Sequence, residues 1–219
     1  MRHRGRGRRL LGMASDGLRF LIPLAALAAV GFALGWPWVG VPALALAAFV
    51  ANFFRDPERI SPPASDAVLA PADGKVVEVN PFTGWRGPGG EPLTQIAIFM
   101  SPWDVHVNRA PLAGTVEGVE HRPGRFRAAW DAAASLENEQ AVLHLRTAAG
   151  EIWLKQIAGF LARRVVTWVR PGDKLEAGER IGLIRFGSRV DLILPARCAV
   201  RVRPGQRTVA GVTVLAVPG

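Results

Sequence analysis

The tripeptide Phe186-Gly187-Ser188 could carry chemistry on the backbone itself. It lies between two strand-like runs, residues 180–185 and 189–195. Glycine permits unusual backbone angles and a close approach to its carbonyl group. The hydroxyl of Ser188 can attack that carbonyl and move the acyl group from nitrogen to oxygen. If the resulting ester eliminates, Ser188 becomes dehydroalanine and then a pyruvoyl group, whose carbonyl is an electron sink for an amine substrate.

The same three residues also suit an ordinary turn. In a turn, glycine supplies the geometry and serine supplies a local hydrogen bond. Short motifs often match by chance, so residues elsewhere in the chain must decide between a turn and a reactive bond.

Two other segments contain side chains suited to proton transfer or to anion binding. Residues 71–76 place Asp73 before a glycine, which is also a common turn pair. Residues 100–111 contain His106 and Arg109. A neutral imidazole can take a proton from a serine and an imidazolium can later donate one, whereas a guanidinium is well shaped to hold a phosphate.

Taken in order along the chain, these segments resemble a known family. The ordered set resembles the short-form phosphatidylserine decarboxylases, pyruvoyl enzymes that mature by self-cleavage, and the likeness covers essentially the whole chain. The resemblance implies that the protein converts phosphatidylserine in the bilayer to phosphatidylethanolamine, through a Schiff base with a pyruvoyl group. The segments that carry the resemblance are residues 53–59, 71–76, 100–111, 138–139, 156–159 and 186–188.

The resemblance also implies which residues form the site. The precursor is cleaved between Gly187 and Ser188, leaving a β chain of residues 1–187 and an α chain of residues 188–219 with the pyruvoyl group at position 188. Asp73 and a histidine activate Ser188 for this cleavage. His106 matches the first of two histidines in longer relatives, but Arg109 stands at the second position. The candidates for binding the substrate phosphate are His106 and Arg109. Either His106 serves both cleavage and decarboxylation, or Arg109 holds the lipid phosphate.

Positive charge is concentrated near the N-terminus. The net charge is +9, and residues 1–55 contribute six of these charges. This distribution argues against a nucleic-acid-binding face on the rest of the chain and for a charged tail beside a membrane. No Cys/His cluster has metal-ligand spacing, so no metal site is expected. The single cysteine, Cys198, excludes an intramolecular disulfide and fits a buried structural thiol.

Residues 20–54 contain no charged side chain. One helix of that length would be about 52 Å long, more than a hydrocarbon core of about 30 Å requires. Residues 35–40 combine glycine, proline and tryptophan and predict a break, so the halves 20–34 and 41–54 form a helical hairpin. Arginines on both flanks place both ends on the cytoplasmic face of the inner membrane. The hairpin either dips into the bilayer or crosses it twice.

The chain is therefore divided into a basic tail (1–19), a membrane-associated helical hairpin (20–54) and a catalytic β domain (55–219). Only residues 127–139 of the last part look helical. The predicted fold class is mainly β, a compact antiparallel β-sandwich or barrel with hairpins like those of carrier domains. Short β-branched runs predict its strands at residues 76–79, 95–99, 115–119, 142–145, 152–157, 164–169 and 180–184.

A loose internal repeat accompanies these strands. Residues 169–178 recur as residues 202–211, and each copy places a Pro-Gly turn and then an Ala-Gly turn between apolar runs. The paired turns resemble those of lipoyl and biotinyl carrier domains. Two copies are too few for a solenoid.

Two other classes of function compete with the decarboxylase. A membrane-anchored carrier or adaptor would need a modified lysine at a hairpin tip, and Lys75, Lys155 and Lys174 lack the sequence context of such a lysine. A serine hydrolase would use Ser188 unmodified, but the chain lacks a Gly-x-Ser-x-Gly motif around it. The predicted partners of the enzyme are phosphatidylserine, the bilayer, the paired α and β chains, and further copies of itself in a homo-oligomer.

Overall fold

The computed structural model describes residues 9–10, 12–62, 66–124, 134–159, 164–185 and 188–219. Contacts between residues divide the chain into two compact units, one within Gly7–Glu58 and one that runs from Arg59 to Gly219. The first unit is mostly helical, and the second, which we call the β unit, is built from strands.

Two consecutive helices, joined by three residues, make up most of the first unit. A small strand pair precedes them, and a 3-10 turn at Ser15–Gly17 leads into the first helix. The elements are β1 (Arg9–Leu10), β2 (Met13–Ala14), α1 (Leu18–Ala33) and α2 (Pro37–Phe53).

Small residues line the contact between α1 and α2. A Cβ atom added at Gly31 would lie 2.9 Å from the backbone nitrogen of Gly40, so the two helices approach closely at this point. Bulky apolar side chains face outward instead. The buried small residues are Ala28, Gly31, Gly40, Ala43 and Ala47, and the exposed apolar residues include Ile22, Leu27, Val30, Phe32, Trp36, Trp38 and Leu44.

The predicted helical hairpin is present, but its break is shorter than predicted. Helix α2 begins at Pro37 rather than at Val41. Proline suits the first position of a helix, because the N–H that it lacks has no intrahelical partner there. By length and composition, Ser15–Ala33 could cross a membrane, whereas α2 is shorter.

Besides a 3-10 turn at Pro88–Gly90, the described part of the second unit contains fourteen strands and one short α-helix. In chain order they are β3 (Val68–Leu69), β4 (Gly74–Phe82), β5 (Leu93–Met100), β6 (Val107–Arg109), β7 (Gly114–Arg122), α3 (Ala134–Glu137), β8 (Gln140–Thr147), β9 (Gly150–Ala158), β10 (Val165–Thr167), β11 (Lys174–Leu175), β12 (Arg180–Ile184), β13 (Ser188–Pro195), β14 (Ala199–Val200), β15 (Arg207–Thr208) and β16 (Val214–Val217).

Eight of these strands form one curled antiparallel sheet, in the order β11-β7-β8-β9-β13-β5-β4-β15. Two three-stranded sheets, β10-β12-β6 and β14-β16-β3, complete the unit. One apolar core joins all three sheets, since it includes Ile98 of β5, Leu192 of β13, Ile181 of β12 and Leu215 of β16. The predicted fold class, mainly β with antiparallel pairing, is confirmed.

The predicted strands are also found, because alternating apolar residues there have a core to face. The run at 164–169 was predicted too long, since β10 covers only Val165–Thr167. In the predicted helix 127–139, only Ala134–Glu137 is helical among the described residues, and residues 127–133 lie outside them. Asn138 lies just after the helix, and its Nδ2 donates a hydrogen bond to the carbonyl of Ala158 at 2.7 Å.

The internal repeat corresponds to repeated turn geometry. Gly178 and Gly211 close the two Ala-Gly turns with φ of 78° and 72°. Glycine is favoured in this left-handed region because it has no Cβ. A Cβ atom on Gly211 would lie 3.4 Å from the Cα atom of Gly178, so the two turns pack against each other.

Candidate active site

Five strand ends meet at one end of the large sheet. Strand β4 begins at Gly74, β5 ends at Met100, β13 begins at Ser188, β9 ends at Ala158 and β8 begins at Gln140. Neighbouring strands are antiparallel, so the end of one lies beside the start of the next. We call this edge the site end of the sheet. It brings together segments that are far apart in the sequence.

Ser188 is the first residue of β13 and lies between β5 and β9. It pairs with Met100 on one side and with Ala158 on the other. Its side chain is fully buried, and Oγ donates a hydrogen bond to Sδ of Met100 at 3.3 Å. A thioether is a weak acceptor, so this bond of the hydroxyl is a weak one. Gly187, on the other side of the expected cleavage point, lies outside the described residues.

A chain of neutral side chains reaches the same sulfur atom. Nδ2 of Asn108 donates to Sδ of Met100 at 3.7 Å, and Oδ1 of Asn108 accepts from Nε2 of Gln156 at 2.8 Å. Oε1 of Gln156 accepts from Oγ1 of Thr167 at 3.2 Å. Both amides are fully buried. Two strong donors, the Ser188 hydroxyl and the Asn108 amide, therefore share one weak acceptor.

His106 lies directly before β6 and is almost fully buried. Its Nδ1 lies 2.9 Å from the carbonyl oxygen of Asp104. Because a carbonyl oxygen only accepts, Nδ1 carries the hydrogen in this contact, and the neutral ring then has its lone pair on Nε2. The backbone carbonyl of His106 accepts a hydrogen bond from Ile184, the last residue of β12. His106 therefore lies beside the segment that leads to Ser188.

Asp73 lies one residue before β4, also at the site end. Its Oδ2 accepts a hydrogen bond from Nη2 of Arg59 at 2.9 Å, and its Oδ1 accepts one from the backbone N–H of Ala210 at 2.7 Å. Strand β5 lies between β4 and β13, which places the strands of Asp73 and Ser188 two spacings apart, about 10 Å. The two contacts hold the carboxylate beside the second Ala-Gly turn.

Arg109 follows Asn108 in β6, and its side chain points to the other face of the strand. Nη1 donates to the carbonyl of Gly178 at 3.0 Å, and Cδ lies 3.0 Å from the position of a Cβ atom on Gly211. Arg109 is thus buried against the two Ala-Gly turns. Of these two neighbours, Asn108 is the one whose side chain reaches Met100 beside Ser188.

The opposite face of β13 carries charge. The side chain of Arg189 is fully buried, and its Nε donates to Oδ1 of Asp191 at 2.6 Å. Its Nη1 and Nη2 contact the two carboxylate oxygens of Glu78 at 3.3 Å and 3.0 Å. Burial acts to lower the pKa of Arg189, but the two carboxylates outweigh it, so the pKa is raised. Arg189 is therefore a charged residue held by two anions.

This charged face continues to a buried lysine. Oδ2 of Asp191 accepts hydrogen bonds from Ser135 at 2.7 Å and from Gln95 at 2.8 Å. Nζ of Lys155 donates to the carbonyl oxygen and to Oγ of Ser135, at 2.6 Å and 2.9 Å. Burial lowers the pKa of Lys155, and the charge of Asp191 opposes this only in part. A cavity of about 430 Å³ lies beside these groups, lined in part by Glu78, Gln95, Gln140, Lys155 and Arg189.

Sequence reasoning missed Asn108, Gln156 and the charged face of β13. The two amides lie in segments that carry the family resemblance, but neither side chain titrates, so residue type alone does not single them out. One available signal was strand alternation at residues 107–109, which places Asn108 and Arg109 on opposite faces.

Comparison with known proteins shows the family. Residues 46–216 match the family model for phosphatidylserine decarboxylase. This chain belongs to the phosphatidylserine decarboxylase family. The family is one of carboxy-lyases, so the protein is an enzyme rather than a binding module.

Three curated relatives of the phosphatidylserine decarboxylase family extend over most of this chain. Each bears the name phosphatidylserine decarboxylase proenzyme. The relative from Symbiobacterium thermophilum is 47% identical over 204 residues, which cover 93% of this chain and 94% of the relative. Those from Streptomyces griseus and Streptomyces coelicolor are 50% and 54% identical, and cover 89% and 80% of this chain and 88% and 76% of the relatives.

Membership of the phosphatidylserine decarboxylase family does not favour the carrier alternative. A carrier domain presents its modified lysine at a hairpin tip. Here Lys75 lies in β4, Lys155 lies buried in β9 and Lys174 lies in β11, so all three lysines are within strands.

Proposed function

We propose that this protein converts phosphatidylserine to phosphatidylethanolamine, after it cleaves itself between Gly187 and Ser188 and turns Ser188 into a pyruvoyl group. The observation that carries the proposal is the setting of Ser188. Its hydroxyl is fully buried at the start of β13, and its hydrogen bond goes to the sulfur of Met100. The names of the curated relatives support the reaction and the existence of a precursor.

The cleavage is a rearrangement of the chain itself. Oγ of Ser188 attacks the carbonyl carbon of Gly187, and the amide C–N bond breaks as an ester C–O bond forms. Removal of the Cα proton of Ser188 then expels the Gly187 carboxylate and leaves dehydroalanine. Its enamine tautomerises to an imine, and water replaces the nitrogen, which leaves as ammonia. The products are a β chain of residues 1–187 and an α chain of residues 188–219.

Burial of Ser188 supports a pyruvoyl product rather than a hydrolysed one. Simple hydrolysis would leave a charged ammonium at position 188, and burying an unpaired charge is costly. A keto group is neutral, and the neighbouring Asn108 and Gln156 are neutral donors and acceptors that suit it. Once formed, the pyruvoyl carbonyl supplies an electron sink for the pair of electrons released when carbon dioxide leaves an attached amine.

His106 is proposed to move protons at this site. The contact of Nδ1 with Asp104 leaves Nε2 as the basic atom of the neutral ring. His106 can therefore accept a proton during cleavage and, as an imidazolium, donate one during decarboxylation. Asp73 is proposed to assist maturation, from a carboxylate oriented by Arg59 and by the backbone of Ala210.

We assign Asn108 a role in the cleavage step that the sequence did not suggest. Arg109 is bound to Gly178 on the far face of β6, whereas Asn108 donates to the sulfur atom shared with Ser188. The sulfur of Met100 is a weak acceptor, so the Asn108 amide would form a more favourable hydrogen bond to a carbonyl or an oxyanion within its reach. Asn108 is proposed to stabilise the oxyanion that forms as Ser188 attacks.

The helical hairpin is proposed to place the enzyme on the cytoplasmic face of the inner membrane. Its outward side chains are apolar, and arginines precede and follow its uncharged stretch. Hydrophobic insertion would hold the protein, and the basic flanks would attract anionic lipid. Assembly into a homo-oligomer remains a prediction.

Intact mass of the detergent-purified protein tests the proposal. We expect two chains, with the 32-residue α chain carrying a keto group at its N-terminus instead of an amine. Ser188→Ala should remain one chain and release no carbon dioxide from phosphatidylserine vesicles. Ser61→Ala is the matched control, because it removes another serine of the β unit and should cleave normally.

Reductive trapping locates the reacting group. Borohydride added with phosphatidylserine should attach the lipid to the 32-residue chain. Attachment to a lysine of the large chain, or full activity in an uncleaved protein, would overturn the proposal.

A further inference from the structure

Two large apolar side chains are exposed in the described part of the β unit. They are Ile60, which is 91% exposed, and Trp103, which is 68% exposed. Both lie at the site end of the sheet. Ile60 follows Arg59, which is bonded to Asp73 directly before β4, and Trp103 lies three residues after the end of β5. Single exposed apolar residues are common, but two at the end that contains Ser188 are a local feature.

The turn that carries Trp103 is held in place from within. Oδ2 of Asp104 accepts hydrogen bonds from both N and Oγ of Ser101, each at 2.8 Å. The carbonyl of Asp104 lies 2.9 Å from Nδ1 of His106. Trp103 is therefore presented outward by a turn whose other side contacts a candidate catalytic residue.

Exposed cations lie beside this turn. Nη1 of Arg207 donates to Oδ1 of Asp104 at 2.9 Å, yet its side chain is 72% exposed. Lys75 is also exposed and lies directly opposite Arg207 in the pairing of β4 with β15. Indole rings prefer the interface between water and lipid, and surface cations are attracted to anionic headgroups.

We propose that Ile60, Trp103, Lys75 and Arg207 form a docking surface of the β unit for an anionic lipid bilayer. We call it the aromatic–basic rim. The inference rests on the proposed function, because a diacyl substrate stays in the bilayer while its headgroup must reach Ser188. The occupant is a bilayer because the rim pairs apolar side chains with cations, and the substrate lipid is itself anionic. The rim acts in addition to the helical hairpin.

A fluorescent label tests docking without reference to activity. Full-length Trp103→Cys protein carries an environment-sensitive dye at residue 103. Cys198 is buried and burial raises its pKa, so it should react little at neutral pH. Ala148→Cys is the matched control, because Ala148 is exposed in the β8–β9 turn at the opposite end of the sheet.

Vesicles of phosphatidylcholine with phosphatidylglycerol provide an anionic bilayer that is not the substrate. We expect the dye at residue 103 to shift to the blue and to be quenched by lipid-attached quenchers, and the dye at residue 148 to respond little. Equal responses at the two positions, or no response at residue 103, would contradict the proposal that the aromatic–basic rim docks on a bilayer. A blue shift that appears in detergent without vesicles and grows with protein concentration would mean that a second copy covers the surface.

Turnover provides the second measurement. Trp103→Ala and Lys75→Gln should cleave themselves completely and should turn over detergent-dispersed phosphatidylserine like the parent. On vesicles, Lys75→Gln should lower kcat/KM about fivefold, as expected for one cation near an anionic surface. Trp103→Ala should lower it further, and added salt should reduce only the contribution of Lys75.

The dye measurement and the turnover measurement together distinguish a failure of this inference from a failure of the proposed function. If the parent protein releases no carbon dioxide from any form of phosphatidylserine, the proposed function fails, and the dye at residue 103 still decides docking. If the parent is active and both variants match it on vesicles, the rim plays no part in substrate access.

Discussion

Ser188 and Arg189 are neighbours on opposite faces of β13, and their side chains have very different hydrogen-bond partners. Ser188 turns toward the core, where its hydroxyl and the Asn108 amide share the sulfur atom of Met100. Arg189 turns toward the other face, where Asp191 and Glu78 bind its guanidinium. One face is neutral and its donors have a weak acceptor. The other is ionic and its donor has strong acceptors.

Under the proposed function, this difference gives the two faces of β13 separate tasks: one face reacts and the other holds the strand in position. After the proposed cleavage, Ser188 would become a chain end, and a chain end tends to fray. Arg189, the residue after Ser188, binds Glu78, which belongs to the β chain. The new end would therefore stay in place through contacts that do not involve the reacting atoms. The reactive face can then keep weak hydrogen bonds that are easily exchanged.

Loss of the ionic contact should have the largest effect on stability. Arg189→Met leaves Asp191 and Glu78 without their guanidinium, and breaking a buried pair in this way costs about 3–5 kcal/mol. Chemical unfolding in the Ser188→Ala background, in which every sample is one chain, measures the loss. Arg146→Met is the control, because Arg146 pairs with Glu117 at the surface and should cost less than about 1 kcal/mol. If both variants lose the same free energy of unfolding, the ionic face of β13 contributes no more to stability than a surface ion pair.

Asn108 tests the reactive face. Asn108→Leu should slow self-cleavage by about 10²- to 10³-fold, the range for loss of one oxyanion donor. Pulse labelling followed by gel separation of precursor and α chain measures the rate. Thr167→Val is the control, because it removes a hydrogen bond to Gln156 at the far end of the same network. If Thr167→Val slows cleavage as much as Asn108→Leu, the effect comes from the network as a whole and not from the donor at Ser188.

Lys155 should leave a signature in the pH dependence of stability. Its folded pKa is lowered by burial, so between that value and the unfolded value of about 10.4 the unfolded chain binds more protons. The free energy of unfolding therefore rises with pH across this window, and the cost of charging Lys155 is fully present below it. Lys155→Met should flatten the rise, whereas Lys174→Met, at an exposed position of β11, should not. Parallel curves for all three proteins would contradict the assignment.

Met100→Leu should have the smallest effect. The two side chains are similar in volume, and such exchanges usually cost less than about 1.5 kcal/mol. Because the sulfur is only a weak acceptor, its removal should leave self-cleavage nearly unchanged. The rate of α-chain formation in Met100→Leu decides this. A large loss of cleavage would mean that the sulfur orients the hydroxyl, and that the reactive face is less loosely held than its hydrogen bonds indicate.

The segments of the site end could be found from the sequence because their residue types are unusual together. These segments are local patterns, which can be recognised in a sequence: the Gly-Ser pair, the Asp-Gly pair and the residues around His106. The strands were also predictable, since their apolar residues alternate with the period of a sheet. The exact start of α2 was not, because proline suits both a break and a first helical position.

Roles that depend on direction could not be read in the same way. The sequence did not indicate that Arg109 donates to the carbonyl of Gly178, or that Asn108 reaches Met100. The reason is that β6 pairs with β12, and this pairing decides which face of β6 meets the core beside Ser188. A sequence states which side chains alternate, but not which set faces a given neighbour.

The sequence alone determined the family, the mainly β fold class, the helical hairpin and the order of the chemically capable segments. The family follows from resemblance to known proteins, and the other properties depend on residue type, period and spacing, which are all local. The tertiary structure alone decided that the site end gathers five strand ends, that Ser188 faces a weak acceptor, and that Arg189 is bound by Asp191 and Glu78. Met100 and Glu78 lie on strands other than β13, so no single segment of the chain contains the contact of Ser188 with Met100 or that of Arg189 with Glu78.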